Sequence, residues 1–293
     1  MLRSWAEERV LPLAAVLALV TLLWYLGAIL LNRQLAEQRL DQSGAVYSTA
    51  ELIGTTWSLD RPVLPAPHQI WAEFYDTVFN REVTSRRSLV YHAYVTASAA
   101  IVGFALGIAL GVLLAIGIVH LRTLDRGLLP WIIASQAVPI LAIAPMIIVV
   151  LASLGLTGLL PKAVISMYLC FFPVAIGMVK GLRSPDPLEL DLMATYSATR
   201  TQVFWKLRWP ASISYLFASL KVAVAISLVG AIVGELPTGA QEGLGARLLS
   251  GSYYGQTVQI WAALLMAALL GVLLVAVVGG AERLARRRQG QLQ

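Results

Sequence analysis

Long uninterrupted apolar runs are the feature that most limits what this chain can fold into. The first of them, Leu11–Leu31, contains no Asp, Glu, Lys or Arg. A helix rises about 1.5 Å per residue, so about 20 apolar residues cross a hydrocarbon core of about 30 Å. Charged residues make up only 13% of the chain, whereas about 25% is usual in a soluble domain. Because lipid offers the backbone no hydrogen-bond partners, we predict an all-α integral membrane protein.

Six long and largely apolar stretches predict six transmembrane helices. The first run is too long for the core of a signal peptide and no clear small-residue cleavage site follows it, so we expect it to be retained. The predicted spans are Leu11–Leu31, Ala93–Val119, Leu129–Leu154, Leu160–Gly181, Ala211–Leu236 and Thr257–Gly280.

The distribution of Lys and Arg sets the predicted orientation. If the N-terminus is cytoplasmic, the inner segments carry more basic than acidic residues and the outer segments do not. We therefore predict a multi-pass protein of the cell inner (plasma) membrane with both termini in the cytoplasm and a basic tail at residues 283–293. The net charge of +6 is then a topology signal, and nucleic acid is not an expected partner.

The long segment between the first two spans, residues 32–92, is predicted to be periplasmic. Its start is polar and shows no strong periodicity. Farther on, apolar and aromatic residues recur at helical spacing in HQIWAEFYDTVFN, residues 68–80. Trp and Tyr favour the membrane–water interface, so this pattern predicts an amphipathic helix that lies at the outer interface or packs on the edge of the bundle.

The second predicted span carries a stripe of small residues. Gly103, Gly107 and Gly111 are four residues apart, which places them on one face of a helix. Such a stripe allows another helix to approach closely where no hydrophobic effect drives packing. We predict close helix packing here, within the chain or between copies of it.

Polar and helix-breaking residues within the spans are candidates for a transport pathway. Pro139 and Pro145 predict a bend in the third span, and Gln136 lies one turn earlier; the bend either lines a pathway or is only structural. Lys221 lies ~16 Å along the fifth helix from Pro210, where a charge marks either a function or a buried pair. The pathway candidates are Gln136, Pro139, Pro145, Tyr168, Lys221 and Glu235.

Sequence signatures of enzymatic chemistry are missing. The chain has no phosphate-binding glycine loop with Lys and Ser/Thr, no HExxH and no GxSxG, and Cys170 is its single cysteine. The three histidines, His68, His92 and His120, are scattered near the ends of spans and are interpreted as interface residues. We expect no catalytic residue, no cofactor and no metal, and no nucleotide hydrolysis by this chain itself.

The segment between the fourth and fifth spans, residues 184–210, combines charges with apolar surface. It predicts two short amphipathic helices, broken near Ser197 and stopped by Pro210. A short helix with an apolar ridge and basic flanks is suited to a groove on a soluble partner. In the second helix the predicted apolar face comprises Val203, Phe204 and Leu207.

The spacing within this segment resembles the inner-loop motif of binding-protein-dependent ABC importer permeases. That motif reads Glu-Ala-Ala, three residues, Gly, nine residues, Ile, one residue, Leu-Pro. Counting back from Pro210 aligns Ser197 with the Gly and Asp191 with the Glu. Leu207 and Trp209 take the Ile and Leu positions, and Leu192 and Met193 replace the alanines. The stretch SATRTQVFWKLRWP is similar to GASRWQTFWKVRLP of the sulfonate, taurine, nitrate and thiamine-precursor branch, as is GEL…GLG from Glu235 to Gly245.

This resemblance implies an ABC transmembrane type-1 domain at residues 93–282, after the first span in residues 1–31. Two permease copies, expected as a homodimer, would form the pathway in the bilayer, and a periplasmic solute-binding protein would deliver the substrate. Cytoplasmic ABC ATPase subunits would dock on a coupling helix in the loop at residues 185–210. The substrate expected is a small organic solute resembling a pyrimidine or thiamine precursor, a sulfonate, or nitrate. The coupling residues implied are Asp191, Tyr196, Ser197, Ala198, Arg200, Phe204, Leu207 and Pro210.

Two other functions remain open from the residues alone. One is an ATP-independent secondary carrier or channel, with Lys221 and the Pro139/Pro145 bend as its working parts. The other is a membrane scaffold whose inner loop binds an unrelated protein. No repeat of the spans is evident, so an internally duplicated carrier is not supported.

Overall fold

The computed structural model of the protein describes residues 11–42, 44, 47–237 and 241–288. Within these ranges the regular secondary structure is helical throughout, and no strand occurs. In chain order the elements are α1 (Leu11–Gln42), α2 (Thr49–Thr56), α3 (Pro67–Phe79), α4 (Leu89–His120), α5 (Arg122–Ser135), α6 (Ile140–Ser153), α7 (Leu159–Leu182), α8 (Pro187–Thr195), α9 (Arg200–Val203), a π-helical turn (Phe204–Arg208), α10 (Trp209–Glu235), α11 (Leu244–Tyr253) and α12 (Thr257–Arg288).

Five helical stretches in the described ranges are long and apolar enough to cross a membrane: α1, α4, α7, the continuous segment Arg200–Glu235, and α12. A sixth span is available if α5 and α6, which meet at an angle of 102°, count as one broken span. The predicted all-helical membrane fold is therefore confirmed.

The third predicted span differs from its prediction. We expected one bent helix over Leu129–Leu154, whereas α5 ends at Ser135 and α6 begins at Ile140 after a sharp change of direction. The break coincides with Pro139, which is the N-cap of α6 and holds an extended backbone (φ −61°, ψ 120°). Proline has no N–H to donate and disfavours a helical conformation in the residue before it. Pro145 lies inside α6 without interrupting it.

The chain divides into two compact units, the first formed by Met1–Tyr91 with Arg247–Met266 and the second by His92–Ala246 with Ala267–Gln293. In the first unit, only 6% of the most apolar 18-residue stretch of α1 is buried within the protein. This is expected of a helix whose surface faces lipid. Sequence periodicity did not reveal α2, whose start is fixed by a capping box between Ser48 and Glu51.

A buried asparagine organises the loop between α2 and α3. The amide nitrogen of Asn32, on α1, donates to the carbonyl oxygens of Thr56 (3.1 Å) and Leu64 (2.8 Å). Its side-chain oxygen accepts from the backbone N–H groups of Val63 (2.8 Å) and Leu64 (3.2 Å). This one side chain holds residues 56–64 against α1.

Helix α3 forms where amphipathic spacing predicted it. Ile70 and Phe74 are buried, whereas Trp71, Tyr75 and Phe79 are exposed. The helix thus packs one face against its own unit and leaves an aromatic face uncovered. A position at the outer membrane interface stays a prediction.

The second unit is centred on α7. Half of the most apolar 18-residue stretch of this helix is buried. The glycine stripe of α4 lies against this helix. A Cβ atom added at Gly103, Gly107 or Gly111 would come within 3.0 Å of Ser166, Cys170 or Val174 respectively, closer than real Cβ atoms come. The stripe is therefore the surface on which α4 and α7 pack within one chain.

Candidate functional site

The loop between α7 and α10 begins with helix α8, whose N-terminus is capped by two acidic residues. Asp186 is the N-cap of α8, and its carboxylate accepts from the N–H of Leu188 (2.9 Å). Glu189 completes the capping box by accepting from the N–H of Asp186 (3.0 Å). These hydrogen bonds satisfy N–H groups that have no partner within the helix. Asp186 and Glu189 therefore have a structural role at this helix start.

The predicted break near Ser197 is a Schellman turn. Ser197 has a left-handed backbone (φ 52°), its N–H donates to Ala194 O (2.8 Å), and the N–H of Ala198 donates to Met193 O (3.0 Å). This position of the turn favours glycine because a Cβ atom disfavours the left-handed region. The geometry explains why the related motif has Gly where this chain has Ser.

The second half of the loop contradicts the prediction that Pro210 stops a short helix. Thr199 caps α9, and the chain then continues as helix through the π turn into α10, with Pro210 in the first turn of α10. The N–H of Trp209 donates to Phe204 O, five residues back. Proline cannot donate its own N–H, and the wider π turn just before it shifts the hydrogen-bond register there. The result is one helical stretch from Arg200 to Glu235.

The exposed apolar surface of the loop lies mainly on α8. Leu188, Leu192 and Tyr196 are 77%, 56% and 78% exposed, and no residue of α8 is buried. By contrast, Phe204 is only 7% exposed and belongs to the main hydrophobic core of the second unit. The apolar face predicted around Phe204 therefore packs inward, and the uncovered face is the one on α8.

The coupling residues implied by the resemblance occupy three different environments. Asp191 and Tyr196 are exposed, on α8 and at its C-cap. Ala198 and Arg200 follow the turn, with Ala198 partly buried and Arg200 exposed, while Leu207 in the π turn is partly buried. Pro210 is exposed.

Three of the pathway candidates lie close to the α5–α6 break. The hydroxyl of Tyr168, on α7, donates to the carbonyl oxygen of Ser135 at the end of α5 (2.5 Å). Gln136, next in the chain, is exposed and donates to Ser135 Oγ (3.3 Å). Pro139 follows as the cap of α6, so Tyr168, Gln136 and Pro139 meet at one bend, whereas Pro145 lies farther along α6.

The remaining two candidates belong to separate charge networks. Lys221 Nζ lies 2.5 Å from a carboxylate oxygen of Glu282, which also contacts Arg286 at 2.7 Å. A paired charge within a span is the arrangement expected of a structural ion pair as well as of a functional one. Glu235, at the C-terminal end of α10, is instead completely buried.

Glu235 is the centre of a buried polar cluster. Its carboxylate accepts from Thr96 Oγ1 (2.9 Å) and from the N–H of Gly245 (2.7 Å). Lys162 Nζ lies 3.8 Å from the same carboxylate. The N–H of Leu244, the first residue of α11, donates to Thr96 Oγ1 (2.8 Å). The start of α11 and Glu235 therefore both bind the Thr96 hydroxyl. Burial of a charged group is tolerable only with such partners.

Glycine is required at positions 243 and 245, where the start of α11 meets the Glu235 side chain. Gly243 has φ 115°, and its N–H donates to His92 Nδ1 (2.9 Å). A Cβ atom at Gly243 or Gly245 would come within 3.0 Å of the Glu235 side chain. Sequence reasoning missed Thr96 and Lys162 as partners of Glu235, and His92 as the partner of Gly243. The spacing of four between His92 and Thr96 was the one available signal, since it places both on one helix face.

In the described part of the chain, no group of three or more His, Cys, Asp or Glu residues could hold a metal ion. Cys170 is buried beside the glycine stripe, where its Sγ donates to Gly103 O (3.5 Å).

A set of long apolar helices, with a polar loop that exposes the apolar residues of α8 between two spans, defines a multi-pass membrane protein. The family described as "Binding-protein-dependent transport system inner membrane component" matches residues 107–291. The chain belongs to this family, which covers more than half of its length.

Relatives with functional names agree with this family. The chain is 30% identical over 228 residues to the formylaminopyrimidine transport permease protein ThiX of Halalkalibacterium halodurans, covering 77% of this chain and 83% of that protein. It is 33% identical over 223 residues to the riboflavin transport system permease protein RibX of Chloroflexus aurantiacus, covering 76% and 79%. It is 25% identical over 223 residues to the putative aliphatic sulfonates transport permease protein SsuC of Bacillus subtilis, covering 76% and 77%.

These comparisons confirm the resemblance inferred from the inner-loop spacing. The protein is an ABC type-1 importer permease of the branch that includes pyrimidine and sulfonate permeases, and a multi-pass protein of the inner membrane. Its family is one of transport subunits, which agrees with the expectation that the chain is not itself an enzyme.

Proposed function

We propose that this protein forms the membrane pathway of an ATP-driven importer and is coupled to cytoplasmic ATPases through the loop at residues 185–210. The observation that carries the proposal is the exposed apolar surface of α8, formed by Leu188, Leu192 and Tyr196. A short helix that buries none of its residues within its own chain gains little stability from local contacts. Insertion into a groove on a partner would cover this surface.

The orientation in this proposal is the one that Lys and Arg favour, with the loop and both termini in the cytoplasm. Residues 32–92 then form the periplasmic segment, residues 93–282 the transport domain and residues 283–293 a cytoplasmic tail. A second copy of the chain would complete the pathway as a homodimer. A solute-binding protein would deliver the substrate from outside, as the family description suggests.

We place the pathway at the α5–α6 break, where Gln136, Pro139 and Tyr168 meet. A helix break within a membrane is tolerated where it is covered by protein or lines a water-filled cavity. Gln136 is exposed there and offers both a donor and an acceptor to a polar solute. The substrate proposed is a small organic solute of the kind named for the relatives, such as a pyrimidine or a sulfonate.

Among the described residues, no contact favours an ATP-independent carrier over this proposal. The charge on which such a mechanism would depend, Lys221, is engaged with Glu282. A coupling role for the loop also accounts for the exposed apolar surface of α8, which a carrier would not need.

Co-purification tests the coupling. A tagged permease is co-expressed with a Walker-motif ATPase encoded in a neighbouring reading frame, and the ATPase retained in detergent is quantified. Tyr196→Asp and Leu188→Asp should each reduce retention at least about tenfold, because a charge replaces a buried apolar anchor at the interface. The melting temperature should stay unchanged because both side chains are exposed.

Tyr253→Asp is the matched control, since Tyr253 is 79% exposed and Tyr196 is 78% exposed. The control should retain the ATPase as well as the unmodified protein does. Full retention by both Tyr196→Asp and Leu188→Asp would remove the basis for docking at α8.

A further inference from the structure

A surface pocket with basic side chains lies beside the coupling loop. It has a volume of about 290 Å³ and is lined by Val119, His120, Ala198, Arg200, Val203 and Arg208. A second pocket of about 200 Å³ shares His120 and Arg200 with it. The two together are called the basic pocket below. It brings the end of α4 together with residues on both sides of the Ser197 turn.

Two of the three basic side chains are held in place by the protein. Arg208 Nη1 donates to Leu182 O at the end of α7 (3.1 Å). His120 Nδ1 donates to Ile116 O (2.8 Å), and its ring packs edge-on against Phe204 with ring centroids 5.2 Å apart. A pocket whose donors are already ordered binds a ligand with a smaller loss of conformational entropy.

The basic pocket has no acidic residue in its lining. Four other cations in the described part of the second unit are paired with carboxylates: Lys162 with Glu235, Arg183 with Asp125, and Lys221 and Arg286 with Glu282. The described contacts include no carboxylate within ion-pair distance of Arg200 or Arg208. Within the described residues, the two guanidinium groups at the pocket are therefore not neutralised by a carboxylate of this chain.

We propose that the basic pocket receives a carboxylate side chain of the ATPase partner, bound between the guanidinium groups of Arg200 and Arg208. This inference rests on the proposed coupling function, because it assumes that the ATPase covers this loop. A guanidinium group binds a carboxylate through two parallel hydrogen bonds. Val119, Ala198 and Val203 offer apolar walls for the methylene groups of an Asp or Glu. The apolar face of α8 would supply affinity, and the carboxylate would fix the orientation of docking.

Retention of the co-expressed ATPase by tagged permease, measured across a series of NaCl concentrations, tests this assignment. Arg200→Gln should weaken retention about tenfold or more and reduce its dependence on salt, because truncating one partner of a close interfacial ion pair mainly accelerates dissociation. Lys206→Gln is the matched control, because Lys206 is an exposed cation of the same loop outside the pocket lining. It should bind as the unmodified protein does.

Arg200 is the primary site for the test because it is exposed, so its substitution leaves the fold intact. Arg208→Lys is the second variant. It keeps the positive charge but lacks the planar guanidinium group, so it should give an intermediate loss of ATPase retention. Equal retention by Arg200→Gln and the unmodified protein would overturn the assignment, as would equal weakening by Lys206→Gln. In both cases the docking on α8 would stand, whereas an unmodified permease that retains no ATPase would remove the proposed function itself.

Inorganic phosphate tests the alternative that the basic pocket binds a free anion. If phosphate raises the melting temperature of the isolated permease in an Arg200-dependent manner while Arg200→Gln leaves ATPase retention unchanged, the pocket binds a free anion and the proposal is wrong. If Arg200→Gln weakens retention and phosphate competes with the ATPase only for the unmodified permease, the carboxylate assignment is supported.

Discussion

Lys221 Nζ contacts the carboxylate of Glu282 at 2.5 Å, which joins α10 to α12 within the second unit. Glu282 is also bonded to Arg286, one turn farther along α12. A lysine that seemed isolated within a span therefore belongs to a three-residue charge network. We therefore predict a structural role for this lysine.

Replacing Lys221 should therefore reduce stability and leave transport in place. Lys221→Met is expected to lower the melting temperature, because Glu282 then loses one of its two cationic partners. Arg286 should continue to pair with Glu282. Thermal unfolding in detergent and solute uptake in vesicles measure the two effects. Loss of uptake by a Lys221→Met protein that remains folded would show that the lysine acts on the substrate.

Ser197→Gly should stabilise the loop. The left-handed conformation (φ 52°) costs a residue with a Cβ about 1–2 kcal/mol, and the greater freedom of glycine in the unfolded chain offsets part of the gain. We expect a net gain of about 0.5–1 kcal/mol, read as a higher melting temperature. Ser197→Val should lower it, because a β-branched residue is disfavoured there. A lower melting temperature for Ser197→Gly would contradict the Schellman turn.

Gly243→Ala should destabilise the protein through Glu235. The added Cβ would meet the Glu235 carboxylate within 3.0 Å at a backbone φ of 115°. Gly255→Ala is the control for an uncrowded left-handed glycine, since Gly255 has φ 65° and nothing within 4 Å of an added Cβ. The drop in melting temperature should be clearly larger for Gly243→Ala, because the contact with Glu235 and the less favourable φ both act there. Equal drops would contradict a contribution from the approach to Glu235.

Phe204→Ala should be strongly destabilising, and Trp205→Ala nearly neutral. Phe204 is buried in the core of the second unit, and loss of a buried Phe costs about 3–5 kcal/mol. Trp205, its neighbour, is 58% exposed, so its removal should change stability by less than about 1 kcal/mol. Chemical or thermal unfolding of both variants provides the comparison. Similar stabilities for the two would place Phe204 outside the core.

The broad architecture could be predicted because it depends on length and polarity. A run such as Leu11–Leu31 has few alternatives to a membrane helix, and the glycines at 103, 107 and 111 have few uses other than close packing. The spacing from Asp191 to Pro210 was sufficient to identify the family. These signals are local in the chain, so they survive without knowledge of the tertiary contacts.

The inward-facing side of the coupling loop could not be predicted. Phe204 and Leu188 have similar hydropathy, and only the packing of α4 and α7 around Phe204 decides which of them is buried. Pro210 was misread because a π turn can incorporate a proline into a continuous helix, and periodicity does not reveal such a turn. The partners of Glu235 are distant in sequence, with Thr96 separated from it by 139 positions, so only the fold brings them together.

Asn32 shows how completely one position can be specified by its hydrogen bonds. Its amide group uses both donors and both acceptor sites on backbone groups of a single loop, which is its full capacity. A flipped amide would place oxygen against two carbonyl groups and nitrogen against two N–H groups, so its orientation is fixed. The near-isosteric Asp lacks the two donors and Leu lacks all four functions. Position 32 therefore requires an amide side chain of this length, whereas the preceding part of the same helix, Leu11–Leu31, consists mainly of apolar residues.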